Sequence, residues 1–187
     1  EFKVCDSGDI SSLYIIYIDG LSKYSQNTPS YLELACFLVD VARKNPLLIK
    51  YIEEYGKVLV TQLCEVISLS MVLSKDQLSV NERSEYIKNY SHFYSKIIVS
   101  FIWLQHILKV NLMNNEKIMD FYFDEMENSI ELWRISAAFE AITTLFSCYS
   151  NEISKERISE AIKIAKTKNV SNQIIKTYIP MLLQVCT

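Results

Sequence analysis

Residues 79–110 read SVNERSEYIKNYSHFYSKIIVSFIWLQHILKV, and the fold class follows from this stretch. Ser79 and Glu82 have capping-box spacing, a hydroxyl followed three residues later by a carboxylate, which marks a helix start. Behind them Tyr86, Tyr90, Phe93, Tyr94, Ile97, Phe101, Leu104 and Leu108 recur at intervals of three and four, the period of one helical face. No Gly or Pro interrupts the run. Thirty residues of helix would extend about 45 Å at 1.5 Å per residue. That is long for a small domain, so the spacing predicts a helix with a kink in it.

The same reading extends outward in both directions. The 187 residues hold only three Gly and three Pro, the usual helix breakers, and no segment alternates as a strand would. Leu13, Ile16, Tyr17 and Leu21 predict a first helix over about residues 9–25, weakened by Gly20. Thr28 and Pro29 supply an N-cap and a first helical residue for a second helix to about Lys44, with Tyr31, Leu34, Ala35, Leu38 and Val41 on one stripe. Asn45-Pro46 repeats that punctuation before a short helix ending near Gly56. Residues 57–73 form the next, apolar nearly all round and so expected inside the body. Asn114 or Asn115 caps a short helix to about Glu125. Asn128 or Ser129 starts another, with Ile130, Trp133, Ala137, Ala141, Thr144 and Leu145 facing the core. A helix over about 152–167 turns Ile158, Ala161, Ile162 and Ala165 inward. Ser171 caps a last helix to about Cys186, kinked at Pro180.

About eight or nine helices with short loops build antiparallel hairpins. The fold class is therefore all-α, most readily an irregular α-α superhelix of stacked hairpins, with a closed bundle of about eight helices as the alternative. Residues 1–187 form one domain, or a fragment of a longer protein.

Composition narrows function mainly by exclusion. Half the residues are hydrophobic, ample for a core. A net charge of −3 gives no support for nucleic-acid binding, which needs a basic surface. The five cysteines are dispersed, without a CxxC pair, which points to a reducing, intracellular setting, cytoplasmic or nuclear. The apolar runs are interrupted short of the ~20 residues a bilayer span needs, so a soluble chain is expected. No Gly-rich phosphate loop or nucleophile elbow is present, and no cofactor or metal is called for.

Two side-chain groups stand out. Tyr86, Tyr90 and Tyr94 sit four apart, and tyrosines suit binding surfaces because the ring packs while the hydroxyl stays wet. A stripe of this kind is otherwise core. Asp120, Asp124, Glu127 and Glu131 follow helical spacings within an acidic stretch that precedes a mildly basic one. They read as a solvated ridge or a site for a basic partner segment. A di-metal centre would add Glu-x-x-His pairs, but Asn89 precedes His92 and Trp103 precedes His106 by three. The two histidines, fourteen residues apart on the long helix, would be about 21 Å apart and could not share a metal.

Residues 128–142, NSIELWRISAAFEAI, resemble the second helix of HEAT and related repeat units. Trp133-Arg134 lies near the helix start, Ala137 and Ala138 allow close helix approach, and spaced apolar residues follow. The resemblance covers two or three units without a strict period, and implies a curved superhelix that binds macromolecules and does no chemistry. The same segment resembles part of the groove motif of Bcl-2-like proteins, without the Gly that normally separates its Trp and Arg; that implies a bundle with a groove for an amphipathic peptide. The expectation is a non-enzymatic interaction module. A groove would bind a peptide or amphipathic helix of a protein partner, basic if it meets the acidic residues, at Tyr86, Tyr90, Tyr94, Asp120, Asp124, Glu127 and Glu131. The alternative is a Bcl-2-like inhibitor of apoptosis or innate signalling.

Overall fold

A computed structural model of the chain describes residues 7–23, 28–73, 78–149 and 153–167, together with Pro180. These residues are helical with no strand among them: α1 Ser7–Lys23, α2 Pro29–Lys44, a 3-10 turn Pro46–Leu48, α3 Ile49–Leu73, α4 Val80–Tyr90, α5 Tyr94–Ile107, α6 Asn115–Asn128, α7 Leu132–Cys148 and α8 Lys155–Thr167. The helix expected from Asn172 to Cys186 and its Ser171 cap lie outside the described residues.

Local chemistry sets most of these boundaries. Thr28 Oγ1 accepts from the Tyr31 amide at the start of α2. Asn45 does the same for Leu47 in the 3-10 turn. At α4 both halves of the capping box form, with the Ser79 amide donating to Glu82 (2.9 Å) and the Glu82 amide donating back to Ser79 Oγ. Asn114 Oδ1 takes the amides of Glu116 and Lys117 to open α6.

Several sequence expectations are corrected. The long helix is two helices, not one with a kink: α4 ends at Tyr90, and Phe93, at φ −132° and ψ 15°, stands outside helical geometry before α5. Asn89 to Phe93 all come from the weaker part of the helix propensity scale, and the break folds a rod too long for the body into two shorter pieces. His92 thus lies in the turn, not on the helix of His106. Gly56, expected to end a helix, lies inside the continuous α3. A Cβ there would sit 3.0 Å from Leu104 Cδ2 and 3.4 Å from Leu108 Cδ1, so this glycine serves the close approach of α3 to α5.

On α1 the expected core residues Leu13, Ile16 and Tyr17 face outward, while Tyr14 and Leu21 turn in. Tyr14 is anchored by its hydroxyl, which donates to the Leu38 carbonyl at 2.9 Å. Leu34 on α2 is also exposed. The helix after α6 begins at Leu132 with Glu131 at its N-cap, not at Asn128 or Ser129, and Ile130 is 93% exposed instead of buried. One stretch, Tyr55–Leu73 of α3, is long and apolar enough to cross a membrane, contrary to the reading of the apolar runs; half of it is buried within the fold.

Helix α5 occupies the middle. Nine of its fourteen residues are buried, on more faces than a surface helix would use, and α2, α3 and α7 pack around it. Ala137, Ala138 and Ala141 of α7 are fully buried, and α7 makes the most extensive packing with α5. Trp133 meets Tyr94 edge-on at 5.4 Å. Helix α6 packs on α7, and α8 on α6. The chain leaves α5 through a Schellman turn: the Val110 amide donates to the Gln105 carbonyl and Lys109 to that of His106. Lys109 takes the left-handed conformation there, φ 53°, where glycine is usual. The buried Gln105 side chain ties the next loop down, accepting from Leu112 and Met113 amides and donating to the Met113 carbonyl, each at 3.0 Å.

Candidate partner-binding surface

The tyrosine stripe divides by burial. Tyr86 and Tyr94 are buried and cannot form a surface ridge. Each hydroxyl has an internal partner: Tyr86 donates to the Val66 carbonyl at 3.1 Å, and Tyr94 shares a 2.8 Å hydrogen bond with Tyr122 of α6. Burial holds both phenols above their ordinary range. Their rings meet edge-on at 6.4 Å and fill the core together, reaching α3 through Tyr86 and α6 through Tyr94. Tyr90 remains half-buried, its ring 5.0 Å from that of Tyr86.

The acidic residues lie where the spacing put them, on α6 and its exit, but two are tied to arginines. Asp120 and Asp124 share one exposed face of α6, and Glu127 is exposed one turn on. Arg157 of α8 reaches Asp120. Asp124 accepts from the Asn128 side chain at 2.6 Å. Glu131 is half-buried, 2.9 Å from Arg134 Nε and 3.9 Å from Arg83 of α4.

Beneath this surface lies an ion pair that the sequence reading did not include. Arg134 donates from Nη1 to Glu125 Oε1 at 2.7 Å, both side chains 6% exposed. Burial pushes the Glu125 carboxyl upward, and the Arg134 charge opposes that only in part. Glu125 Oε2 and Arg134 Nη2 are buried without hydrogen-bond partners, and Nε approaches Glu131 outside hydrogen-bond geometry. The available signal was Arg134 in an otherwise apolar helix start. Its partner nine residues earlier has no helical spacing to reveal it.

Arg83, Asp124, Glu125, Asn128, Ile130, Glu131 and Arg134 border a cleft of about 300 Å³ where α4, α6 and α7 meet. The exposed Ile130 lines it, and Leu132 is exposed beside it. The site thus combines an apolar step, an acidic flank and a fixed arginine. A larger cleft of about 690 Å³ lies by the α5–α6 loop, with Glu53, His106, Lys109 and Tyr149 on its walls.

Among the described residues no three His, Cys, Asp or Glu side chains gather as a metal site would. Cys36 and Cys148 are pushed up to about 12 and about 11, chiefly by burial, so both stay protonated thiols at neutral pH. No known family, no curated protein and no solved structure matches this chain.

Proposed function

We propose that this chain is a non-enzymatic interaction module that holds a basic, amphipathic segment of a partner protein along α6 and in the cleft at the α6–α7 junction. The observation that carries the reading is the pairing of an exposed apolar step, Ile130 and Leu132, with the exposed carboxylates Asp124 and Glu127. Apolar side chains of the segment would enter the cleft and its lysines or arginines would face α6, the usual division between anchoring contacts and charged rim. The buried Arg134–Glu125 pair fixes the cleft floor; it does not belong to the partner.

The test is fluorescence anisotropy of a labelled basic amphipathic helix titrated with the chain. Charge reversal at Asp124 and Glu127 weakens binding and flattens its salt dependence. An affinity unchanged by both reversals sinks this surface.

The enclosed position of α5, with α2, α3 and α7 around it, favours the closed bundle over a row of stacked hairpins. It therefore gives the Bcl-2-like reading a specific support that the HEAT-like one lacks. A pro-death helix peptide in the same assay separates the two: sub-micromolar binding supports the Bcl-2-like reading, and selectivity for basic helices of any origin supports the general module.

A further inference from the structure

Two hydrogen-bonding atoms at the α6–α7 junction are left open inside the fold. Arg134 and Glu125 are each only 6% exposed, and one bond of 2.7 Å joins Arg134 Nη1 to Glu125 Oε1. The atoms beside that bond, Nη2 and Oε2, have no hydrogen-bond partner. Each shares a carbon with an atom of the bond, so the two stand close together. Nη2 is a donor, and Oε2 of the carboxylate is an acceptor. Leaving such atoms unpaired is costly, and more so on charged groups. Both residues line the cleft of about 300 Å³, together with Arg83, Asp124, Ile130 and Glu131.

The charges around the pair select the chemistry that would complete it. A carboxylate entering the cleft gains Arg134 but meets Glu125, Asp124 and Glu131. A lysine or arginine gains Glu125 but meets Arg134 and Arg83. An apolar side chain leaves both open atoms unpaired. A backbone peptide group is trans, so its carbonyl and N–H point apart and satisfy one atom at most. A primary carboxamide is neutral and carries a carbonyl oxygen and an N–H side by side on one carbon. It alone among side chains accepts from Nη2 and donates to Oε2 without adding a charge.

We propose that the cleft floor reads one carboxamide side chain, a glutamine or asparagine, on the segment that the cleft receives. The inference rests on the partner-binding reading of this surface and adds to it the identity of one side chain. The 2.7 Å bond between Arg134 and Glu125 stays within the fold; only the two open atoms turn to the segment. Both lie beneath the cleft surface, so a small shift of the lining admits the carboxamide, and water competes little for the bonds it makes. A volume of about 300 Å³ is at the small end for a ligand site, and suits one side chain better than a separate small molecule.

A labelled basic amphipathic helix carrying Gln, Asn, Met or Glu at each apolar-face position in turn, titrated with the full chain, tests it. Met keeps the length of Gln without its hydrogen bonds, and Glu keeps its shape without the donor. The expected result is one position at which Gln or Asn binds at least about tenfold tighter than Met, the scale of hydrogen bonds to charged groups, with Glu weaker than Gln. Against Arg134→Met/Glu125→Leu, which lacks both open atoms and keeps more stability than either single variant, that preference disappears. Circular dichroism checks that the double variant is folded; if it is not, the peptide series on the native chain decides alone. Met matching Gln and Asn at every position overturns the proposal and leaves a water as the group that meets the pair. So does a Glu that binds as tightly as Gln, or a carboxamide preference that survives in the folded double variant. Binding without a carboxamide preference removes this inference alone, whereas no binding by any peptide of the series removes the partner-binding reading with it.

Discussion

Arg134 and Glu125 are joined by a 2.7 Å hydrogen bond between α7 and α6, in a place where water reaches neither side chain freely. The pair is under-satisfied, with one carboxylate oxygen and two guanidinium nitrogens lacking hydrogen bonds. Such a pair is costly to break and cheap to replace, because each lone charge would stay buried whereas an apolar pair needs no compensation. Arg134→Met and Glu125→Leu each lower stability by about 3–5 kcal/mol, and the double variant loses much less than their sum. Urea denaturation of all four proteins measures the coupling.

The same carboxyl gives stability a pH dependence. Its folded pKa lies above the ordinary glutamate value because burial outweighs the attraction of Arg134. The folded state therefore holds this proton more tightly than the unfolded chain. The resulting stabilisation is fully present below the unfolded value, about 4.3, and is lost as pH rises through the folded value. Relative to Glu125→Gln, the native protein loses stability as pH climbs from about 4 toward neutrality. A flat difference between the two across that range would contradict the assignment.

Lys109 closes α5 in a backbone conformation that costs an L-residue about 1–2 kcal/mol. Lys109→Gly removes that cost and gives back part of it as unfolded-chain entropy, for a net gain of about 0.5–1 kcal/mol. The denaturation midpoint rises with its slope unchanged. Lys109→Ala gains nothing, since it keeps the Cβ.

Gly20 and Gly56, both inside helices, respond oppositely to a side chain. Gly20→Ala stabilises the fold by about 0.5–1 kcal/mol, since the new methyl meets open space and helix propensity improves. Gly56→Val destabilises by about 1–3 kcal/mol, because Leu104, itself fully buried, stands 3.0 Å from the added Cβ. Thermal melts at one matched protein concentration compare them directly.

What the sequence discloses here is decided by the range of the forces involved. Caps are contacts within three or four residues, so Thr28, Ser79 and Asn114 could be read in advance. Helical character was equally plain, because few residues could stop a helix. The orientation of α1 was not: Leu13, Ile16 and Tyr17 have the right period for a core stripe, yet the side that packs is chosen by Tyr14 and its bond to Leu38, twenty-four residues away. Gly56 was misread for a similar reason, since its use depends on Leu104. The acidic residues of the candidate site were legible as a ridge on α6. The arginines that meet two of them from other helices, Arg157 at Asp120 and Arg83 near Glu131, have no spacing to reveal them, and the burial of Tyr86 and Tyr94 depends on the helices packed over them.

The enclosure of α5 gives its backbone a distinct exchange behaviour. Its buried central amides are shielded from deuterium by three packed helices, α2, α3 and α7. Their isotope uptake would then track separation of the whole chain, and the slowest of them would report its global unfolding free energy.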